Sequence, residues 1–186
     1  MAMRKILGAV PSFFLAFALT LGLCFIWAAP EAHAENLIKH PKAHSSYTTE
    51  LEPHLTFGGY GNLFGGPGIR ATWPVADPAF IPKLNNSIGI GVGADFFFNA
   101  DACHTVSGER RCYNTAVAIP VVMQWNFWFT EKWSAFGEPG IILGVRPFTD
   151  FGLNIAAGGR YQINDAITLT LRIGVPVASF GVSFLL

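Results

Sequence analysis

Several groups of residues in this chain have types and spacings that chemistry uses. His40 and His44, with His54 further on, offer imidazole ligands to a metal ion, and His54 with Ser45 or Ser46 and a carboxylate would compose a hydrolytic grouping. Gly66, Gly68 and Ala71, and again Gly89, Gly91 and Ala94, repeat the glycine spacing of a loop that cradles a dinucleotide phosphate. Cys103 and Cys112 with His104 between them offer either a disulfide or part of a metal shell. Lastly, Glu50, Glu52, Asp95 and Glu138 are balanced by Arg70, Arg160 and Arg172 in segments that otherwise carry few charges.

Each chemistry needs an element to hold it, and most of these lack one. Residues 35–49 have no periodicity that would fix a histidine cluster, so they read as a solvated polar linker. A phosphate-binding glycine loop works through the N-terminus of a following helix. Here both glycine groups lie inside an alternating strand pattern, where glycine makes room for bulkier neighbours such as Phe136. Two cysteines and one histidine leave a zinc shell short of its fourth ligand. No catalytic residue, metal or cofactor is therefore expected.

Composition narrows the class further. The 186 residues are 51% hydrophobic and 13% charged, with no net charge, 20 glycines and 17 phenylalanines. Soluble domains carry about a quarter charged residues. A neutral chain without a basic face is not a nucleic-acid binder. Arg4 and Lys5 precede an apolar stretch from Ile6 to Ala29, followed by Pro30 and the small-x-small site Ala32-His33-Ala34. This layout predicts a cleaved secretory signal peptide over residues 1–34, with an uncleaved anchor as the alternative. Leu23 before Cys24 does not suit lipid attachment, so only Cys103 and Cys112 remain after processing, in an oxidising setting.

Residues 50–186 contain no second apolar run long enough for a membrane helix. They alternate instead with period two. From Ser87 to Phe98, Ile88, Ile90, Val92, Ala94, Phe96 and Phe98 point one way, and Ser87, Gly89, Gly91, Gly93 and Asp95 the other. Val117 to Phe127, Leu153 to Gln162 and Ile167 to Val175 repeat the pattern, each about as long as a tilted membrane strand. With Glu50–Tyr60, Gly68–Val75, Trp133–Val145 and Ala178–Leu186, the count reaches eight. With both termini on the periplasmic side, residues 61–67, 99–114, 146–150 and 176–177 connect strands outside, and 76–86, 129–132 and 164–166 connect them inside. This topology places Trp73, Trp125, Phe127, Trp133, Tyr161 and Phe184 in one aromatic belt and Tyr60, Phe96, Phe98, Tyr113 and Phe151 in another.

In this pattern the chain resembles the small outer-membrane β-barrels of the OmpA and OmpX kind. Ala178 to Leu186, apolar at every second position from the end, is similar to that class's terminal assembly strand, with Leu186 where the class usually ends in Phe. The resemblance implies an all-β, eight-stranded antiparallel up-and-down transmembrane barrel over 50–186. It also implies outer-membrane lipid and the assembly machinery, acting through the C-terminal strand, as partners in a Gram-negative-type outer membrane. A secreted or periplasmic ligand-binding barrel with reversed phase is the alternative.

An eight-stranded barrel is filled by its own side chains. Glu52, Arg70, Asp95, Glu138, Arg160 and Arg172, with Glu50, are therefore expected to neutralise one another as a plug, a narrow channel being the alternative. Arg160 and Arg172, on neighbouring strands, are expected to share Glu138. Ser107 and Gly108 suit a turn that sets Cys103 opposite Cys112 as a disulfide. The bridge would hold Glu109, Arg110 and Arg111 as a charged tip toward surface polysaccharide or a protein partner. The function expected is structural or surface recognition, without catalysis.

Overall fold

The computed structural model describes residues 37–58, 65–106, 108–146 and 150–186. The expected signal peptide and Tyr60 lie outside them. Eight strands follow in chain order: β1 (Glu50–Gly58), β2 (Gly66–Ala76), β3 (Asn86–Val106), β4 (Glu109–Trp128), β5 (Trp133–Arg146), β6 (Asp150–Asn164), β7 (Ile167–Val175) and β8 (Val177–Leu185). Each pairs antiparallel with the next, and β1 pairs with β8, closing an up-and-down barrel. Closure matters because an open edge would present unpaired backbone groups.

The alternation read from the sequence is the alternation of the wall. Along β1 and β8 every second residue is buried, and the polar side chains of that set are Glu50, Glu52, His54 and Thr56 on β1 and Ser179 and Ser183 on β8. The opposite phase is apolar and uncovered: Leu153, Ile155, Ile173 and Val175 are 59–73% exposed. Polar inside and apolar outside is the inverse of a soluble barrel. Inward glycines make space, as expected. A Cβ on Gly158 would overlap the Phe136 ring and the Leu171 carbonyl oxygen, so only glycine lets that ring enter the lumen.

The two ends differ. At the end where β1 begins and β8 stops, the terminal end of the barrel, the β4–β5 turn is held by Thr130 Oγ1, which accepts the amides of Lys132 and Trp133 at 3.2 and 2.9 Å. The long connection over residues 77–85, unusual for that side, is held by Asn86. Its Nδ2 donates to the carbonyls of Ile81 and Leu84 at 2.7 and 2.8 Å, and its Oδ1 accepts the Trp125 indole at 3.0 Å. Ile88, on the same face of β3 as the exposed Ile90, is only 5% exposed at this end. At the far end, Pro176 alone separates β7 from β8. On the opposite side, β3 and β4 continue as a two-stranded ribbon past Asp95 and Val117, where their pairing with β2 and β5 ends. The ribbon occupies the stretch expected as the 99–114 connection.

The expectation for the segment before β1 fails. Residues 37–49 are a docked strap, not a solvated linker. A single 3-10 turn (Leu37–Lys39) buries Leu37, whose amide donates to the Phe129 carbonyl at 2.9 Å, while the Asn85 amide donates to Ile38 at 2.8 Å. Thr48 and Thr49 bind the Leu186 carbonyl through their amides. The strap lacks periodicity because single side chains and backbone groups, not a face, hold it.

Candidate functional site: a charged lumen

β1, β2, β5 and β7 aim Glu52, Arg70, Glu138 and Arg172 into the middle of the barrel. Glu138 Oε2 accepts Arg70 Nη1 at 2.8 Å and Arg172 Nε at 2.6 Å; its Oε1 accepts Arg172 Nη2 at 3.0 Å and Gln124 Nε2 at 2.7 Å. Arg172 reaches across to Glu52, with Nη1–Oε1 at 2.8 Å and Nη2–Oε2 at 3.1 Å, and also donates to Ser179 Oγ at 2.8 Å. Glu138 and Arg172 are 0 and 1% exposed. Charges this deep persist only when paired and hydrogen-bonded.

The structure corrects the pairing expected for Arg160. Its guanidinium meets Glu50, both carboxylate oxygens at 2.7 Å from Nη2, and Gln124 Oε1 at 2.9 Å, so Gln124 links it to Glu138 only indirectly. Register explains this. Glu138 pairs with Ala156 and Arg160 with Ser134, four residues toward the terminal end, or about 13 Å along the strand. What Arg160 and Arg172 do share is Phe136, whose ring centroid lies 5.0 and 5.2 Å from their guanidinium carbons. Each contact is a cation–π attraction of about 0.5–2 kcal/mol.

Asp95 stands apart from the arginines and faces His54, with Oδ1 2.7 Å from Nε2, while His54 Nδ1 lies 3.2 Å from the Glu52 carbonyl oxygen. Gly68 makes this contact fit, since a Cβ there would collide with both side chains. His54 thus lies inside the lumen, His40 is exposed and His44 lies in the strap, so the three do not converge. The glycine pairs lie within β2 and β3. The network is not saturated: Asp95 Oδ2, Thr56 Oγ1, Arg70 Nε and Arg160 Nε make no hydrogen bond among the described residues.

Two features at the barrel ends escaped the sequence pattern. Toward the far end Phe97, Ala118, Ile142 and Val177 form a buried apolar cluster inside the wall. Phe97 follows the alternation, inward between the outward Phe96 and Phe98, but the partners that meet it come from distant strands. At the terminal end the strap lies against the barrel. His44 stacks on Trp128 with ring centroids 4.5 Å apart and planes 3° from parallel, its Nδ1 is 2.7 Å from Asn85 Oδ1, and its Nε2 is 3.5 Å from Asp77. Tyr47 reaches the Arg160 guanidinium, and its burial pushes the phenol above its ordinary range, against the attraction of Arg160 for the phenolate. A cavity of about 400 Å³ opens at this rim, not in the lumen, between His44, Trp128, Lys132, Gln162 and Asp165.

On the ribbon, Cys103 and Cys112 are directly opposed and joined by a disulfide. Gly108, with φ of 84°, takes the left-handed turn position that favours glycine. Glu109 and Arg110 are exposed beyond it; the side chains of Arg111 and Tyr113 lie outside the described residues. Of the aromatics assigned to belts, Trp73, Trp133 and Phe184 are exposed toward the terminal end, and Phe96, Phe98 and Phe151 toward the far end. Trp125 and Phe127 pack at 4.7 Å, and Trp133 and Tyr161 at 4.9 Å.

No family model matches the chain, and no curated protein matches it. Among solved structures it is similar to the backbone structure of the Yersinia pestis outer membrane protein Ail in a phospholipid bilayer nanodisc. That match has 10% identity and a TM-score of 0.49, and covers 76% of this chain and 100% of that one.

Proposed function

We propose that the chain is an exported outer-membrane β-barrel with a structural or surface-recognition role, a sealed polar interior and no catalytic activity. The observation that carries this reading is the inverted wall. Ionic side chains such as Glu138 and Arg172 are buried inside, while Leu153, Ile155, Ile173 and Val175 lie uncovered outside. Water would penalise that exterior by about 25 cal/mol for each Å² of apolar surface left bare, whereas lipid accepts it.

The sealed interior is supported by the charged network, by the apolar cluster above it and by the strap beneath. Recognition is assigned to the β3–β4 ribbon, which projects Glu109 and Arg110 on a disulfide-fixed hairpin toward polysaccharide or protein acids. Insertion would use the assembly machinery through β8, after cleavage behind Ala34.

Fractionation with heat-modifiability tests this. The protein is expected in the outer membrane, migrating faster unheated than boiled, and showing no steady conductance in planar bilayers. Recovery in the soluble periplasm would overturn the membrane reading. A steady ion-selective conductance would overturn the sealed interior and restore the channel.

A further inference from the structure

Basic side chains gather on one sector of the terminal rim. The lysines downstream of residue 34 are Lys39, Lys42, Lys83 and Lys132, and all four are exposed at this end. Three of them come together. The Asn85 amide donates to the Ile38 carbonyl at 2.8 Å, which lays the connection bearing Lys83 beside the turn bearing Lys39, His40 and Lys42. The nearest acid on that connection, Asp77, faces His44 at 3.5 Å. Lys132 stands apart, with Glu131 and Asp165 around the rim cavity.

The same connection is apolar at its tip. Phe80 is 67% exposed, and Ile81 beside it is also uncovered. Phe80 packs edge-on against Trp125 at 5.4 Å, and Trp125 against Phe127. The bare tip is therefore continuous with the aromatic belt.

We propose that this foot, Lys39, Lys42 and Lys83 with Phe80 and Ile81, selectively binds the anionic phosphodiester headgroups of phospholipids in the leaflet it faces. The inference rests on the membrane reading above. Phe80 and Ile81 enter the boundary between headgroups and acyl chains, while the lysine stems lie along it and lift their ammonium groups to the phosphates. An acidic wall polymer would satisfy the lysines but would leave Phe80 and Ile81 bare, so the lipid surface fits better.

Tryptophan quenching by brominated lipids tests the proposal, in a background in which Trp73→Phe, Trp128→Phe and Trp133→Phe leave Trp125 as the reporter of the mature barrel and which serves as the wild type below. The full mature barrel is inserted into zwitterionic phosphatidylcholine vesicles holding a small fraction of either brominated phosphatidylglycerol or brominated phosphatidylcholine. The wild type is expected to prefer the anionic lipid several-fold. Each lysine near the surface can contribute up to roughly fivefold, so K39Q/K42Q/K83Q should quench nearly equally with both. High salt should compress the wild-type preference in the same way.

Heat-modifiable mobility verifies that the triple variant has folded; should it not fold, K83Q alone and the salt series decide. Equal quenching in the wild type, or a preference that survives the substitutions, would overturn the proposal. Loss of the preference on adding millimolar inorganic phosphate would also overturn it, by assigning the foot to free phosphate. So would lysine-dependent retention on isolated wall polymer without lipid preference. If neither brominated lipid quenches, the membrane reading itself fails, and this inference with it.

Discussion

Replacing Glu138 by Gln keeps the shape of the side chain and removes one charge at the centre of the lumen. The carboxylate accepts four hydrogen bonds, one from Arg70, two from Arg172 and one from Gln124. An amide has one oxygen, so its NH2 must face at least two of those donors. Arg172 keeps Glu52, but Arg70 loses the carboxylate it is paired with. Breaking a buried pair in this way costs about 3–5 kcal/mol.

Overall charge balance in the lumen would by itself give a smaller effect. The lumen holds four carboxylates and three guanidinium groups, so removing one acid brings the simple sum of these charges to zero. Position decides against that sum, because Asp95 is spent on His54 and does not reach Arg70. Urea unfolding of the barrel from lipid vesicles, followed by gel mobility, measures the difference. The double variant Arg70→Met/Glu138→Gln should lose less than the sum of its singles, by about 1–3 kcal/mol. A loss under about 1 kcal/mol for Glu138→Gln, with strict additivity, would refute the local-pairing argument.

Gly158→Val should destabilise the barrel by at least about 1–3 kcal/mol in the same assay, because its side chain enters the space of the Phe136 ring. Reducing the Cys103–Cys112 bridge, which spans nine residues, should loosen the ribbon by up to about 2.7 kcal/mol on the chain-entropy estimate. Faster proteolysis at Arg110, with an unchanged barrel midpoint, checks this. Tyr47 gives a pH dependence. A phenol held above its ordinary range stabilises the strap fully below about pH 10, and that contribution is lost as pH rises through the raised value. The anisotropy of a fluorophore at Ser46→Cys should therefore fall only on the alkaline side, and Tyr47→Phe should remove the Tyr47 titration. Labelling from the two sides of the membrane should reach residue 83 and residue 110 from opposite faces.

The sequence made the wall legible because a strand's two faces obey a strict period of two, and β6 and β7 keep that period over nearly their whole length. It revealed which charges point inward, since Glu52, Arg70, Glu138, Arg160 and Arg172 share the small and polar phase. It did not reveal their heights in the lumen. Which carboxylate meets Arg160 depends on stagger between strands, and Glu50 lies 110 residues away in sequence. The strap stayed invisible because Leu37, His44 and Tyr47 act singly, with no repeat to mark them. The far-end cluster was half visible, in Ala118 on the inward phase and in Phe97 between the outward Phe96 and Phe98, but nothing in the sequence brings Ile142 and Val177 to them.

The placement of Glu50 and Glu52 on β1 bears on how the barrel is assembled. These two acids meet guanidinium groups from β6 and β7, 110 and 120 residues later, so the contacts complete only when the first strand finds the last. A slip of one residue at the β1–β8 seam would turn both carboxylates toward lipid. A slip of two would keep them inside but carry them about 7 Å from Arg160 and Arg172. The seam is thus proofread by charge. A mispaired closure strands ions in a low-dielectric interior and reopens, while the correct register is locked by the pairing it completes.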